Sequence, residues 1–328
     1  MVIDLIPFFN EIDILKLRLN VLDPYVDKFV IEEATTTFSG EKKGLCFEKN
    51  KHLFEKFLDK IVYIVVDEDR DFKITHERDY FQKNHLSEGL KKVGASDSDV
   101  IIFGDCDEIP NPDALKNIIG SFDKTKVYHL AQRNFYGFLN MEEKSGKLLS
   151  ITGDFPEIAE ADRKWLGTKV TSISNIPKEG IVRLRDLAKV TDDNAVRVAD
   201  GGWHFGYMGG DHETDPLKRI GVKVKAAAHQ EYNEKEIIRE TMDRLVLGQD
   251  IFGRDARFER VEIDESYPEY LRDNLGDFEH LVMPKVTFFS KAYHKADITV
   301  GRFCRKAVHK IQRTVSQKQY IHIGHQNG

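Results

Sequence analysis

Two aspartates in the middle of the chain are spaced to bind a metal ion. Asp105 and Asp107 directly follow the apolar run 100–103 (Val-Ile-Ile-Phe) and precede Glu108. Two carboxylates at positions i and i+2 can offer oxygens to one hard divalent cation, Mn²⁺ or Mg²⁺, which can also bind phosphate oxygens. The pattern therefore predicts a metal site that holds a phosphorylated ligand.

The same spacing occurs three more times, so the motif alone is weak. The pair 97/99 precedes its apolar run, whereas the pairs 67/69 and 69/71 lie in a charge-rich stretch after the run 61–66. A helix-capping or salt-bridge role remains open for Asp105 and Asp107 as well.

Four apolar runs are candidate strands of the sheet that would position Asp105 and Asp107. The runs 2–9, 27–31, 61–66 and 100–103 alternate with helical patterns, which predicts an α/β fold with a largely parallel sheet. Open sheets of this kind bind ligands beyond the carboxyl ends of their strands, and that is where Asp105 and Asp107 stand.

Helix signals and turn residues complete this outline. We predict helices over 12–22, with Asn10 as its cap, over 75–93, over 111–120 and over 233–247. Residues 127–210 predict a mixed, partly antiparallel half of shorter strands, with turns at 145–147, 177–180 and 200–202.

Composition narrows the class of protein. The chain has 328 residues, 41% of them hydrophobic, and a net charge of -6, which argues against a surface that tracks nucleic acid. Three isolated cysteines predict neither a disulfide framework nor a structural zinc site. We find no leader peptide and no membrane-length apolar window, so we expect a soluble, cytoplasmic protein.

Five segments together resemble glycosyltransferase family 17. They are 9–15, 30–33, 37–40, 105–110 (Asp-Cys-Asp-Glu-Ile-Pro) and 202–204 (Gly-Trp-His), and the similarity spans about residues 4–283. The resemblance implies a GT-A-like, Rossmann-like mixed sheet flanked by helices, a UDP-sugar donor such as UDP-GlcNAc, Mn²⁺ or Mg²⁺, inversion at the anomeric carbon and a glycan acceptor.

The resemblance also divides the chain. Residues 1–283 form the expected catalytic domain, with 1–110 as the nucleotide-sugar half and 111–283 as the acceptor half. Residues 284–328 hold nine Lys or Arg against one acid, which makes a basic extension of net charge +8. Apolar residues at every fourth position from 303 to 315 predict an amphipathic helix there, which could rest on an anionic membrane near a lipid-linked glycan or pack on the catalytic domain.

Donor-binding residues follow from the matched positions. Besides Asp105, the expected donor contacts are Asn10, Glu11, Glu33, Arg78, Gln82, Asn84 and His204. Asn10 could instead be only a helix cap. Arg78 or Lys83 could meet a phosphate, although a surface lysine on a helix is more often only solvated.

Aromatic residues and one histidine suit the sugar side. His204, in the glycine-rich segment 201–210, is a candidate third metal ligand beside Asp105 and Asp107. Trp165 and Trp203 are candidate acceptor platforms, although a buried tryptophan in the core would be equally common.

An inverting transfer needs a general base, usually a carboxylate. Glu231 is the first candidate because its segment matches the family, with Asp154 and Glu213 as alternatives. A first-turn helical glutamate would explain Glu231 without catalysis.

Two other functions compete with sugar transfer. Paired aspartates after a strand also serve metal-dependent phosphohydrolases, which would need no acceptor. A glycan-binding module without metal chemistry would keep the aromatic residues and bind sugar independently of Asp105 and Asp107.

Overall fold

One mixed β-sheet runs through the protein. The computed structural model describes residues 1–68, 70–148, 154–186, 192–287 and 290–300. Ten strands in these ranges form the sheet, eight of them in the order β10-β7-β6-β8-β4-β1-β2-β3, while β9 pairs with β6 and with β5. The strands are β1 (Val2–Phe8), β2 (Lys28–Ala34), β3 (Ile61–Val66), β4 (Val100–Phe103), β5 (Glu108–Pro110), β6 (Val127–Tyr136), β7 (Met141–Glu143), β8 (Lys169–Thr171), β9 (Ala195–Gly206) and β10 (Phe258–Arg260).

Helices cover the sheet. They are α1 (Ile12–Leu22), α2 (Cys46–Asn50), α3 (Thr75–Asn84), α4 (Leu86–Lys92), α5 (Pro112–Gly120), α6 (Pro216–Ala226), α7 (Lys235–Val246) and α8 (Glu269–Asp273). The predicted α/β class, a mixed sheet flanked by helices, is confirmed.

The first four strands are parallel. β1 lies between β2 and β4, and β2 pairs in turn with β3. Because parallel strands end at the same edge of a sheet, the segments that follow Phe8, Ala34 and Phe103 meet there.

Strand alternation gives the sheet two apolar faces. In β1, Ile3 and Leu5 join the core that includes α4, whereas Ile6 and Phe8 join the core that includes α1. Asp4 points to the α1 side by the same alternation, and its buried carboxylate binds the Arg18 guanidinium of α1.

The second half is partly antiparallel, as predicted. β8 lies between β4 and β6 and is antiparallel to both, which joins the two halves of the chain in one sheet. Strands β6 and β9 are long and parallel, with a register shift between Leu130 and Gln132.

Three local predictions were wrong. The helix 75–93 is broken at His85, because the His85 Nδ1 bonds the Phe81 carbonyl while its own N–H bonds that of Gln82. The predicted turn 200–202 lies inside β9, where a side chain at Gly201 would overlap the Ala131 backbone across the register shift. Helix α1 begins after Glu11, and Asn10 does not cap it.

The predicted basic helix, 303–315, lies outside the described residues, which end at 300. Residues 290–300 are helical, and they precede it. In the ranges that are described, no helix has the length and apolar character of a membrane span.

Candidate active site

A cleft opens at the carboxyl edge of the parallel strands. The cavity inside it measures about 130 Å³ and is continuous with open solvent. Its walls come from the ends of β1, β2 and β4, from α3, and from α6 of the second half. The lining side chains that matter for binding are Glu11, Glu32, Thr36, Phe38, Lys43, Gln82, Lys83, Asp105, Asp107 and Lys223.

Asp105 is held by two cations. Its Oδ1 lies 2.9 Å from Lys83 Nζ, and its Oδ2 lies 3.2 Å from Arg185 Nη1. Burial alone would raise the pKa of Asp105, but Arg185 and Lys83 outweigh it and hold the pKa well below its usual range. Asp105 is therefore an ionised carboxylate whose two oxygens already have partners.

Asp107 has a different environment. It is 5% exposed, and the nearest basic groups are the Lys223 Nζ and the His204 Nε2, each 3.9 Å from a carboxylate oxygen. Burial raises the pKa of Asp107 to about 7, assisted by the nearby Glu11 and Asp105 carboxylates, while Lys223 opposes the rise. Asp107 is thus a buried carboxyl that lacks close charge compensation.

Lys223 explains this difference because it is committed to Glu11. The ammonium group contacts Glu11 Oε1 directly, and the other Glu11 oxygen accepts the backbone N–H groups of Phe9 and Asn10 at 3.1 and 3.0 Å. Although burial opposes it, Lys223 lowers the pKa of Glu11. The Glu11–Lys223 pair thereby fixes a cation at the cleft, reached from α6.

His204 presents a ring nitrogen to Asp107. It follows Trp203 in β9, and its Nδ1 is 2.8 Å from Asn134 Oδ1. With the amide oxygen as acceptor, the proton is on Nδ1 and the Nε2 lone pair faces Asp107. Burial lowers the pKa of His204 to about 4, so the imidazole is neutral near pH 7.

Asp107 and His204 are suited to share one metal ion, whereas the Asp105 side is not. The 3.9 Å between their facing atoms is too long for a hydrogen bond, and a deprotonated carboxylate with a neutral imidazole is a donor set for Mn²⁺ or Mg²⁺. Among the described residues, no group of three or more His, Cys, Asp or Glu is arranged to hold a metal. Further ligands would have to come from the bound substrate.

Glu108 anchors the aspartate loop. Its Oε1 accepts from Trp165 Nε1 at 2.8 Å, and both its oxygens contact Arg185 at 2.7 and 3.0 Å. Oε2 also accepts the Asp105 backbone N–H at 2.9 Å. Trp165 in turn stacks on His204 with ring centres 4.5 Å apart. The Glu108 carboxylate therefore positions Asp105 directly and His204 through Trp165.

Arg18, on α1, binds backbone carbonyl groups of the loop 105–108. Besides its two bonds to Asp4, its Nη1 donates to the carbonyls of Asp105 and Glu108, each at 2.8 Å. Arg18 and Asp4 are fully buried. A guanidinium with five donors can bind both the carboxylate and the carbonyls, which fixes the path of residues 105–108.

The β2 end of the cleft offers amide and carboxyl groups. Gln82 donates to the carbonyl and hydroxyl oxygens of Thr36, both at 3.1 Å. Glu32 is 3% exposed, its Oε1 has no hydrogen-bond partner among the described residues, and burial raises its pKa well above the usual range. A protonated Glu32 can donate one hydrogen bond and accept another from a ligand.

Three predicted donor contacts lie elsewhere. Glu33 points to the other face of β2, where its oxygens accept from Lys43, Tyr63 and two α2 backbone N–H groups. Arg78 pairs with Glu68 at 2.9 Å. Asn84 accepts from the Val182 N–H, so it ties α3 to the segment before Arg185.

Asn10, another predicted donor contact, does not line the cleft but packs against the end of the glycine-rich segment. The N–H groups of Gly210 and Asp211 donate to the Asn10 carbonyl at 3.1 and 3.0 Å. A side chain at Gly209 would overlap Asn10 Oδ1, so glycine allows the two backbones to approach.

The two tryptophans differ in position. Trp165 is partly buried beside His204. Trp203 points away from His204, as neighbours in a strand must, and its Nε1 donates to the Ser266 carbonyl at 3.1 Å. Trp203 packs in the α1-side core, so the acceptor role expected of it is not supported by this position.

None of the three candidate bases lines the cleft. Glu231 is exposed and pairs with His229 at 2.8 Å. Asp154 is clamped by Arg197 at 2.6 Å on both oxygens. Glu213 accepts the Asp215 N–H at 3.0 Å, which holds the turn before α6.

Sequence reasoning missed the residues that shape the loop. Arg185 and Lys223 reach the aspartates from 80 to 116 positions along the chain, and no local pattern marks them. Arg18 did leave a signal, because it occupies the apolar face of α1 between Leu15 and Leu22. A charge at such a position predicts a buried partner, here Asp4.

Comparisons with known proteins agree with these motifs. Residues 1–147 match the family model described as Glycosyltransferase family 17. No curated protein is significantly similar in sequence. One similar solved structure is TarS 1–349 from S. aureus, at 12% identity and a TM-score of 0.35, covering 75% of this chain and 70% of that one.

A second solved structure is glucosyl-3-phosphoglycerate synthase from M. tuberculosis, at 14% identity and a TM-score of 0.35, covering 83% of this chain and 92% of that one. The same enzyme has been solved with Mn²⁺, UDP and phosphoglyceric acid, at 13% identity and a TM-score of 0.33, with 83% and 91% covered. The residues that match the family model, 1–147, carry β1 to β7 and both aspartates of the cleft.

Proposed function

We propose that this protein is a metal-dependent glycosyltransferase with a GT-A-like active site that transfers a sugar from a UDP-sugar to a glycan hydroxyl. The observation that carries the proposal is the His204 Nε2 facing the Asp107 carboxylate at 3.9 Å, at the carboxyl edge of β4. Asp107 itself lines the cleft together with Lys223 and Lys83. UDP-GlcNAc is the donor that the family resemblance favours.

The cations in the cleft suit a diphosphate. Although burial opposes it, the Glu11 and Asp107 carboxylates raise the pKa of Lys223, so its ammonium stays charged at neutral pH. Lys83 is likewise kept charged by Asp105 and Asp79. Two fixed cations at the cleft can stabilise the charge that develops on a nucleoside-diphosphate leaving group.

Asp107 and His204 would hold the metal. A bound Mn²⁺ or Mg²⁺ supplies Lewis-acid stabilisation of the leaving diphosphate. The residues around it have separate tasks: Glu108 and Arg18 fix the loop, and Asn134 fixes the His204 tautomer. The loop is therefore preorganised before a donor binds.

The β2 end of the cleft suits the nucleobase. Glu32 has a free oxygen there and Gln82 holds the Thr36 backbone, so the groups near the base are buried and ordered. A base with adjacent carbonyl and N–H groups, such as uracil, can bond a protonated carboxyl in both directions.

Calorimetric titration tests this function. UDP, UDP-GlcNAc, UDP-glucose, UDP-galactose and GDP-mannose are titrated into wild-type protein with Mn²⁺ and with EDTA. We expect Mn²⁺-dependent binding of UDP and of one UDP-sugar, and its loss in Asp107→Ala. Asp97→Ala is the matched control, because Asp97 has the same spacing to a second aspartate but is exposed at the opposite edge.

Two results would remove the proposal. The first is that folded wild-type protein binds none of these nucleotides. The second is rapid UDP-sugar hydrolysis that no glycan acceptor redirects, which would favour a phosphohydrolase.

A further inference from the structure

A strip of aromatic side chains leads outward from His204. Tyr136 meets the His204 ring edge-on at 6.3 Å between ring centres and the Tyr207 ring at 4.9 Å. Tyr207 then contacts Phe252 at 5.5 Å, and Phe252 stacks on Tyr232 at 4.3 Å. We call Tyr207, Tyr232 and Phe252 the aromatic strip.

The aromatic strip is partly open to solvent. Its three rings are all intermediate in exposure, whereas Tyr136 beneath them is buried. Flat rings that keep one face accessible can bury apolar surface of a ligand while polar groups at their edges stay hydrated.

The aromatic strip also begins next to the proposed metal pair. A Cβ at Gly206 would lie 3.4 Å from both His204 Nε2 and a Tyr136 ring carbon. Tyr207, the next residue, is near enough to Asp107 for that carboxylate to contribute to its raised pKa, after burial, Tyr136 and Asp250. The aromatic strip therefore begins beside Asp107 and His204 and runs from Tyr207 to Phe252 and Tyr232.

Tyr207 is held in an unfavourable backbone conformation. Its φ is +66°, a left-handed value that bulky side chains rarely adopt. Such strain clusters at functional sites. Here the strain turns the Tyr207 ring toward Phe252 just after β9 ends.

The cation beside the aromatic strip, Arg254, is paired with the Asp250 carboxylate. Arg254 lies over Phe252 at 5.1 Å and over Tyr232 at 5.7 Å, and Asp250 binds its Nε and Nη2 at 3.0 and 2.9 Å. The guanidinium has five N–H donors, so it can still donate to a ligand hydroxyl. Because Asp250 neutralises it, it adds no net positive charge that would favour an anionic ligand.

We infer that the aromatic strip is the acceptor subsite and binds a neutral sugar ring of the acceptor glycan. Phe252 and Tyr232 cover one face of each other, so the apolar face of a pyranose would pack on the exposed part of one of these rings, and its hydroxyls would meet the Arg254 donors. The inference rests on the proposed function, since it gives that reaction its second substrate. It places the acceptor beside Asp107.

Oligosaccharide binding tests the subsite separately from donor binding. Chitotriose, mannotriose, cellotriose and the anionic trigalacturonic acid are titrated into full-length protein and followed by saturation-transfer NMR and tyrosine fluorescence. We expect at least one neutral trisaccharide to bind, with about tenfold or greater loss of affinity in Phe252→Ala. UDP binding with Mn²⁺ should stay within about twofold of wild type, because Phe252 does not line the donor cleft.

Two further variants keep the test decisive. Phe252→Leu retains most of the volume but not the flat ring, so it should lose sugar affinity even if Phe252→Ala unfolds. Tyr293→Ala removes an aromatic ring that is 69% exposed outside the strip and should change nothing. Binding of the anionic trisaccharide alone, no binding of any neutral one, or wild-type affinity in Phe252→Leu would each overturn the inference. A failure of the proposed function would show instead as loss of UDP binding in the wild type.

Discussion

The two aspartates of the cleft lie two residues apart and occupy opposite electrostatic environments. Asp105 faces Lys83 and Arg185, which hold its pKa far down, whereas Asp107 is buried with a pKa raised to about 7. The Asp105 side is a network of ion pairs at 2.9 and 3.2 Å, while Asp107 has only the His204 Nε2 and the Lys223 ammonium near it, each at 3.9 Å.

The difference assigns separate roles to the two residues. A carboxylate whose oxygens already contact cations stabilises the fold and gains little from a metal. A buried carboxylate without close compensation is costly to the fold, and a divalent cation would remove that cost.

The largest effect on the free energy of unfolding is expected from Arg18, which binds the loop that carries Asp105. Arg18→Met leaves Asp4 buried and uncompensated and releases the carbonyls of residues 105–108. We expect a loss of about 3–5 kcal/mol in the free energy of unfolding, measured by urea denaturation. Lys16→Met is the control on the same helix, because its pair with Asp277 is exposed and should matter by less than about 1 kcal/mol. Equal effects of the two variants would contradict a structural role for Arg18.

Neutralising each aspartate should change stability in opposite directions. Asp105→Asn removes the shared anion of Lys83 and Arg185, and we expect a loss of about 1–3 kcal/mol. Asp107→Asn removes a poorly compensated buried charge at neutral pH, and we expect stability to stay level or to rise. Urea denaturation of both variants at pH 8, without metal, checks this contrast, and a larger loss in Asp107→Asn would reverse our assignment.

The pH dependence of stability gives a smaller effect with a definite sign. A carboxyl whose folded pKa is raised binds more protons in the folded state, so its contribution is fully present below the unfolded pKa near 4 and is lost as pH rises through about 7. In metal-free buffer, wild-type stability should therefore fall relative to Asp107→Asn between about pH 4 and pH 7. Parallel curves for the two proteins over this window would contradict the raised pKa.

The sequence predicted the strands best, because each strand is marked by a short run of apolar residues. The runs at 2–9, 61–66 and 100–103 predicted three strands, and the position after the last run placed Asp105 and Asp107 at the ligand-binding edge. Alternation along β2 also explains why Glu32 lines the cleft and the predicted donor contact Glu33 does not, since a one-residue difference moves a side chain to the other face of the sheet. The pattern of apolar residues does not say which face is the cleft.

Long-range partners were beyond a sequence reading. Arg185 and Lys223 determine which aspartate is compensated, and both come from segments that are distant along the chain from Asp105 and Asp107. Helix α6 showed nothing to distinguish Lys223 from Lys218 or Lys225. The distinction arises from burial against Glu11, which only tertiary structure supplies.

Mn²⁺-dependent UDP binding to Asp105→Asn and Asp107→Asn, measured side by side by calorimetry, tests the central claim most directly. We expect Asp107→Asn to weaken binding by about 100-fold or more, because it removes a ligand of the proposed metal. Asp105→Asn should stay within about tenfold of wild type, since the Asp105 oxygens contact Lys83 and Arg185. An Asp105→Asn variant that loses Mn²⁺-dependent binding while Asp107→Asn retains it would contradict the account.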